Sequence, residues 1–249
     1  MSDLHLIDVP VPGGTAEAHV SRPASGHGPG VLFFMDAIGL RPQIAAMCER
    51  IASWGYVVMA PNVFRRDGDV ATLMPTGDLR TPEGREAFMG PAMSRVHALT
   101  TDLAVPDIAA YVEALRGLDG VTDGPLGTTG YCMGARLSMR TATGHPDDVA
   151  ACGGFHGGGL ATDTPDSPHL GLGAARAEFA LGHADHDRSM PPEAVATLGE
   201  TFAAHGLTAL NEIFPDAPHG YTMADTSMYQ EAGAERHYRE LRALLDRTL

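Results

Sequence analysis

The sequence predicts an α/β fold, a mostly parallel sheet covered by helices. Three observations carry that expectation. Short apolar runs alternate with longer segments of helical spacing along the 249 residues. The runs are apolar at successive positions, as strands buried on both faces are. The chain is 44% hydrophobic and 19% charged, enough apolar material for an extensive core.

The strands are read in order. "GVLFFMDA" (Gly30 to Ala37) is an apolar run closed by an acid, and "YVVMAPNVF" (Tyr56 to Phe64) is a second. "PLGTTGYC" (Pro125 to Cys132), "VAACGGF" (Val149 to Phe155), "AEFALGHAD" (Ala177 to Asp185) and "TALNEIF" (Thr208 to Phe214) follow. Between them, Ile44, Met47 and Ile51 recur at helical spacing, as do Val105, Ile108, Val112 and Leu115, with Pro106 placed in a first turn. Val195, Leu198 and Phe202 form another stripe, ended by Gly206. In the C-terminal segment Tyr238, Leu241, Leu245 and Leu249 share one side. The first ~25 residues, with Pro10, Pro12, Gly13 and Gly14, read as an antiparallel hairpin at the sheet edge. The expectation is one domain over residues 1–249. Residues 62–101 contain no strand and are broken by Pro75, Gly77, Pro82, Gly84, Gly90 and Pro91. A stretch that long is read as a cap over the site, with a short helix near Pro82 to Met89.

Composition narrows the chemistry. Net charge is -14, which repels phosphate backbones and argues against nucleic acid as a partner. All 17 basic residues are arginine, so Schiff-base and P-loop lysine chemistry are excluded. Cys48, Cys132 and Cys152 fit neither a zinc ribbon nor a CxxC pair and read as reduced thiols of a cytoplasmic protein. The opening "MSDLHLIDVPVP" has no signal-peptide pattern, and no apolar run approaches the ~20 residues that span a bilayer. "HADHD" (His183 to Asp187) carries metal-ligand residue types, but without further upstream histidines it is read as a loop; no metal and no cofactor are expected.

The chemistry centres on Gly130-Tyr131-Cys132-Met133-Gly134. Gly-x-nucleophile-x-Gly describes a sharp strand-to-helix turn, where larger side chains two residues either side would collide. The thiol then projects from the carboxyl edge of the sheet, at a helix N-terminus whose partial positive charge favours thiolate. Such a turn requires an acid and then a histidine in later loops. "ALGHADHD" offers Asp185 and Asp187, and "FPDAPHGYT" offers His219.

Together "FFMDAIGL", "GYCMGAR", "GHADHD" and "APHGY" make the chain resemble the dienelactone hydrolase family of α/β-hydrolases, from about Gly30 to the last helix. The resemblance implies an α/β-hydrolase fold and hydrolysis of carboxylic esters or lactones through a thioester. It implies a Cys132, His219 and Asp185 triad, Asp185 being preferred to Asp187 because the family's acid directly precedes a histidine in Gly-x-x-Asp-His. The oxyanion donors expected are the backbone N–H groups of Met133 and Ala37. Asp36 stands where family members carry a thiol-modulating glutamate. Of two family arginines that hold a substrate carboxylate, one position is Met223 here, and the nearest match to the other is Arg85; Arg65 and Arg66 are further arginines of that region. Substrate contacts are assigned to Arg85, Tyr131, His156 and Met223. The expected partner is a small-molecule ester or lactone, with no nucleic acid or membrane, and the chain is expected as a monomer or small homo-oligomer. A cysteine redox sensor or non-catalytic binding module on the same fold is the alternative, and would need neither the ordered acid nor the histidine.

Overall fold

The computed structural model describes residues 3–249, so residues 1 and 2 of the expected N-terminal hairpin segment lie outside the described residues. The described strands are β1 (Leu6–Val11), β2 (Gly14–Ser21), β3 (Gly30–Phe34), β4 (Val57–Pro61), β5 (Leu126–Tyr131), β6 (Val149–Phe155), β7 (Glu178–His183) and β8 (Ala209–Ile213). They form one sheet in the order β1-β2-β4-β3-β5-β6-β7-β8. β1 and β2 are the expected edge hairpin, and β2 also runs antiparallel to β4. The remaining pairings are parallel. The fold is that of an α/β-hydrolase.

The helices are α1 (Pro42–Ala52), α2 (Val70–Leu73), α3 (Pro82–Ala98), α4 (Thr101–Arg116), α5 (Met133–Gly144), α6 (Pro192–Ala204) and α7 (Glu231–Thr248). Successive residues of a strand point to opposite faces, and β6 shows what covers each. A Cβ at Gly153 would lie 2.9 Å from Leu241 of α7, and one at Gly154 would lie 3.4 Å from Ala135 of α5. The sheet is therefore covered on both sides, which is why β3, β4 and β5 are buried at every position. Each fully buried Val, Leu, Ile or Phe contributes about 1.5–3 kcal/mol. Strand order reverses at β3, with β4 on one side and β5 on the other, and β3, β5, β7 and β8 share one direction, so their carboxyl ends meet at one rim, where α/β proteins place their sites.

Two elements differ from the sequence reading. α3 does not stop near Met89 but continues to Ala98. Its start is fixed by Thr81, whose hydroxyl accepts from the Gly84 amide at 3.1 Å, followed by Pro82 in the first turn. Pro91 removes one backbone donor without ending the helix, because Ala92 and Val96 beyond it are buried and anchor the second half. α4 begins five residues before Pro106, so that proline lies inside the helix. Val105 is consequently 47% exposed, and the buried stripe is Ala104, Ile108, Tyr111, Val112 and Leu115. Gly206, with φ +65°, follows α6 as expected. Among the described residues no helix is long and apolar enough to cross a membrane.

Candidate active site

Cys132 joins β5 to α5 with φ 55° and ψ -119°, a conformation that costs a non-glycine residue of order 1–3 kcal/mol and persists only when its surroundings enforce it. Its amide donates to the Phe155 carbonyl at 3.1 Å. The flanking glycines are required by close approach. A Cβ at Gly130 would sit 2.0 Å from the Gly134 carbonyl oxygen. A Cβ at Gly134 would sit 2.4 Å from the Phe34 oxygen and 2.5 Å from that of Met35. Gly134 thus lets the start of α5 lie directly against the end of β3, beside Ala37. The turn hydrogen bonds leave the amides of Ala37 and Met133 unused among the described residues.

His219 lies in the loop after β8 and shares a small cavity of about 50 Å³ with Cys132. The carboxylate that meets it is Asp187: Nδ1 to Oδ2 is 2.6 Å. This corrects the expectation for Asp185, which does not reach the imidazole. The Asp185 carboxylate accepts the amides of His186 at 2.9 Å and Asp216 at 3.0 Å, and its own amide donates to the Ala217 carbonyl. His186, at φ 53°, turns the chain between the two acids. The Asp187 side chain is only 6% exposed, and Ser189 donates to it through both amide and hydroxyl. Burial works to raise the Asp187 pKa, but the bonds from His219 and Ser189 prevail and hold it at about 2. Burial likewise works to lower the pKa of His219; hydrogen bonds with Asp187 and Cys132 outweigh it and raise it to about 10.

Asp36, expected to modulate the thiol, lines the cavity with Cys132, and its carboxylate is bound by Arg41. Its Oδ1 and Oδ2 accept from Arg41 Nη1 at 2.7 Å and Nη2 at 3.1 Å, and Oδ1 also accepts the Ile38 amide. An aspartate this short, five residues before an arginine at the start of α1, is captured by that arginine. Arg41, 1% exposed, also grips Asp225 through Nε at 2.6 Å and Nη2 at 3.2 Å, and its Nη2 lies 3.3 Å from the Met223 sulfur. Burial opposes the Arg41 charge, but Asp36 and Asp225 outweigh it and raise its pKa above the usual arginine range. Arg41 and Asp225 were not singled out in the sequence; the signal was an arginine in the loop after the first buried strand.

The four substrate contacts assigned from sequence divide. Met223, His156 and the exposed Arg85 line the cavity with Asp36, Met89 and Met228. Tyr131 does not: it is fully buried, stacked on Phe33 at 4.7 Å, with its hydroxyl 3.2 Å from His237 Nε2. The residue before the cysteine belongs to β5, so its side chain enters the core under α7. Arg65 and Arg66 both bind Asp107 and tie the loop after β4 to α4. His156, at φ 40°, bonds Thr222 Oγ1 through Nε2 at 2.8 Å. Burial, with His219 and His237 nearby, holds its pKa well below the usual histidine value. Cys48 and Cys152 are buried in the core. No cluster of three or more metal-ligating side chains is present among the described residues.

A strained strand-to-helix cysteine turn on this sheet defines the class as an α/β-hydrolase. Comparison with known proteins narrows it. The sequence pattern of the dienelactone hydrolase family matches residues 16–249. The chain belongs to the dienelactone hydrolase family and is a hydrolase. It is 26% identical over 222 residues to a carboxymethylenebutenolidase of a Pseudomonas species, covering 86% of this chain and 82% of that one. Among solved structures it is similar to a dienelactone hydrolase-like promiscuous phosphotriesterase from metagenomic libraries, with a TM-score of 0.75 and 17% identity over 99% of this chain and 98% of that one. A dienelactone hydrolase from Anabaena variabilis gives a TM-score of 0.68 and 16% identity, over 99% of this chain and 98% of that one.

Proposed function

We propose that the protein hydrolyses small, uncharged carboxylic esters or lactones through a thioester on Cys132. The observation that carries this reading is the strained Cys132 turn opposite an imidazole already bound by a buried carboxylate. In the first half-reaction His219 already holds the proton that left the Cys132 thiol, and Sγ bonds to the carbonyl carbon. The tetrahedral oxyanion is received by the amides of Met133 and Ala37, donors of the kind whose loss costs about 100- to 1,000-fold. The carbon–oxygen bond to the alcohol then breaks and His219 returns the proton to the leaving oxygen. In the second half-reaction water gives a proton to His219, attacks the thioester and releases the acid and the thiolate. Asp187 fixes the tautomer of His219 and stabilises its charged form.

The lining of the cavity supports this substrate class. It is mostly apolar, with Met89, Met223 and Met228 prominent. The Arg41 charge is already shared by two carboxylates, which disfavours a third. Arg85 faces the mouth from an exposed position, where a single cation binds a carboxylate weakly.

The reading is tested by quenching p-nitrophenyl acetate turnover and mapping the protein by mass spectrometry. One acetyl group on the peptide containing Cys132 is expected in wild type, and none in Cys132→Ala. Acetylation elsewhere, or equal background release by both proteins, overturns the reading and returns the sensor alternative. Met89 on α3 forms part of the cavity wall. Met89→Ala is expected to raise kcat/KM for p-nitrophenyl butyrate relative to acetate by about three- to tenfold, a gain on the scale of one or two methylenes accommodated. An unchanged ratio would show that α3 does not limit acyl size.

A further inference from the structure

A second cavity, of about 270 Å³, lies between the ends of α3, α4 and α5. That is near the lower end of the roughly 300–1,000 Å³ typical of small-molecule pockets. No residue lines both this cavity and the one containing Cys132, although Met133 forms part of its wall. Two arginines four residues apart on α5, Arg136 and Arg140, face it together. Like charges at that spacing repel and destabilise a helix. In a chain with 31 acidic residues and 17 arginines, partners for both are plentiful.

The two guanidiniums are nevertheless incompletely satisfied. Arg136 is half-buried and makes no side-chain hydrogen bond or ion pair with any described residue. Arg140 Nη2 donates to the main-chain oxygen of Asp166 at 2.5 Å, while the Asp166 carboxylate stands 3.7 Å away. That carboxylate is 64% exposed and accepts from Thr101 Oγ1 at 3.1 Å. Burial lowers the Arg140 pKa, and the Arg136 charge adds to this, with Asp166 opposing. The lining thus carries two arginines against one aspartate, in a protein of net charge -14. The remaining wall includes Val96, Leu99 and Leu137, apolar surface that an inorganic ion would not use.

We propose that this cavity binds a small organic carboxylate, its two oxygens on Arg136 and Arg140 and its apolar body against Val96, Leu99 and Leu137. Planar carboxylates match the donor fork of a guanidinium, and a ligand oxygen supplies Arg136 with the partner it lacks. The inference is independent of the chemistry assigned to Cys132.

The test titrates benzoate into the full chain at low salt, followed by calorimetry. Wild type and Cys132→Ala are expected to bind benzoate equally, at one site. Arg136→Met, which keeps the apolar stem and removes the charge, is expected to weaken binding about tenfold or more, with Arg136→Lys intermediate. Acetate is expected to bind more weakly than benzoate, and inorganic phosphate not to displace it. The proposal is overturned if benzoate does not bind at millimolar concentration, or binds Arg136→Met as tightly as wild type. It is equally overturned if Cys132→Ala abolishes binding, which would put the probe in the other cavity, or if phosphate competes on equal terms, which would leave an adventitious ion only.

Discussion

Asp187→Asn is expected to lower kcat/KM for p-nitrophenyl acetate by on the order of 1,000- to 10,000-fold, the scale on which other triads depend on their orienting acid. Asp185→Asn is expected to stay within about threefold of wild type, because it removes only a carboxylate bonded to loop amides. The pair of variants discriminates between the two acids more sharply than either alone. A pH profile adds direction. The His219 pKa is raised to about 10, so the imidazolium persists into alkaline solution. Removing the Asp187 bond takes away one of the two hydrogen bonds that oppose burial, so the alkaline limb should move down. The same pair contributes stability. His219 contributes fully below its ordinary 6.5 and loses this as pH rises through about 10; Asp187 contributes fully above its ordinary 3.8 and loses this as pH falls through about 2. These are two ends of one interaction and are counted once. Equal losses in the two variants would return the role to Asp185.

Arg41→Met is expected to cost about 3–5 kcal/mol of stability, because it leaves buried Asp36 and partly buried Asp225 without their cation. For a chain of this size that is a fall in Tm of roughly 6–20 °C. The triple variant Arg41→Met, Asp36→Asn, Asp225→Asn should recover much of the loss, since it removes the uncompensated charges as well. A double-mutant cycle on Arg41 and Asp36 gives their coupling directly. A Tm within 2 °C of wild type would show that the cluster does not hold the two loops together. Arg41 joins the loop after β3, which carries Ala37, to the loop after β8, which carries His219 and Met223. Its loss should therefore also blunt turnover in the fraction that remains folded.

The fold was legible wherever burial repeats a simple pattern. β3 and β4 read as unbroken apolar runs because both faces are covered, and the hairpin read from Pro12, Gly13 and Gly14. The cysteine turn was legible because Gly130 and Gly134 answer a collision that any Cβ would cause. The choice between Asp185 and Asp187 was not. Both lie in one short loop, and what separates them is the backbone reversal at His186 and the burial of Asp187, which a local motif does not encode. A hint existed in Ser189, two residues after Asp187 and able to bond it. The Arg41 cluster was hidden for another reason: Asp36 and Asp225 are 189 positions apart, and only the closed sheet brings them together. α3 was underestimated because Gly90 and Pro91 are strong local breakers, overridden here by tertiary anchors at Ala92 and Val96.

The position of β8 has a last consequence. It is one of the two edge strands, incompletely covered along its length, whereas β3 and β5 lie deep in the sheet. Edges fray at lower free energy than centres. Under mild denaturant the chain should therefore forfeit turnover before it forfeits the cysteine's sharp turn, passing through a form that alkylating reagents still label selectively but that no longer processes an acyl group.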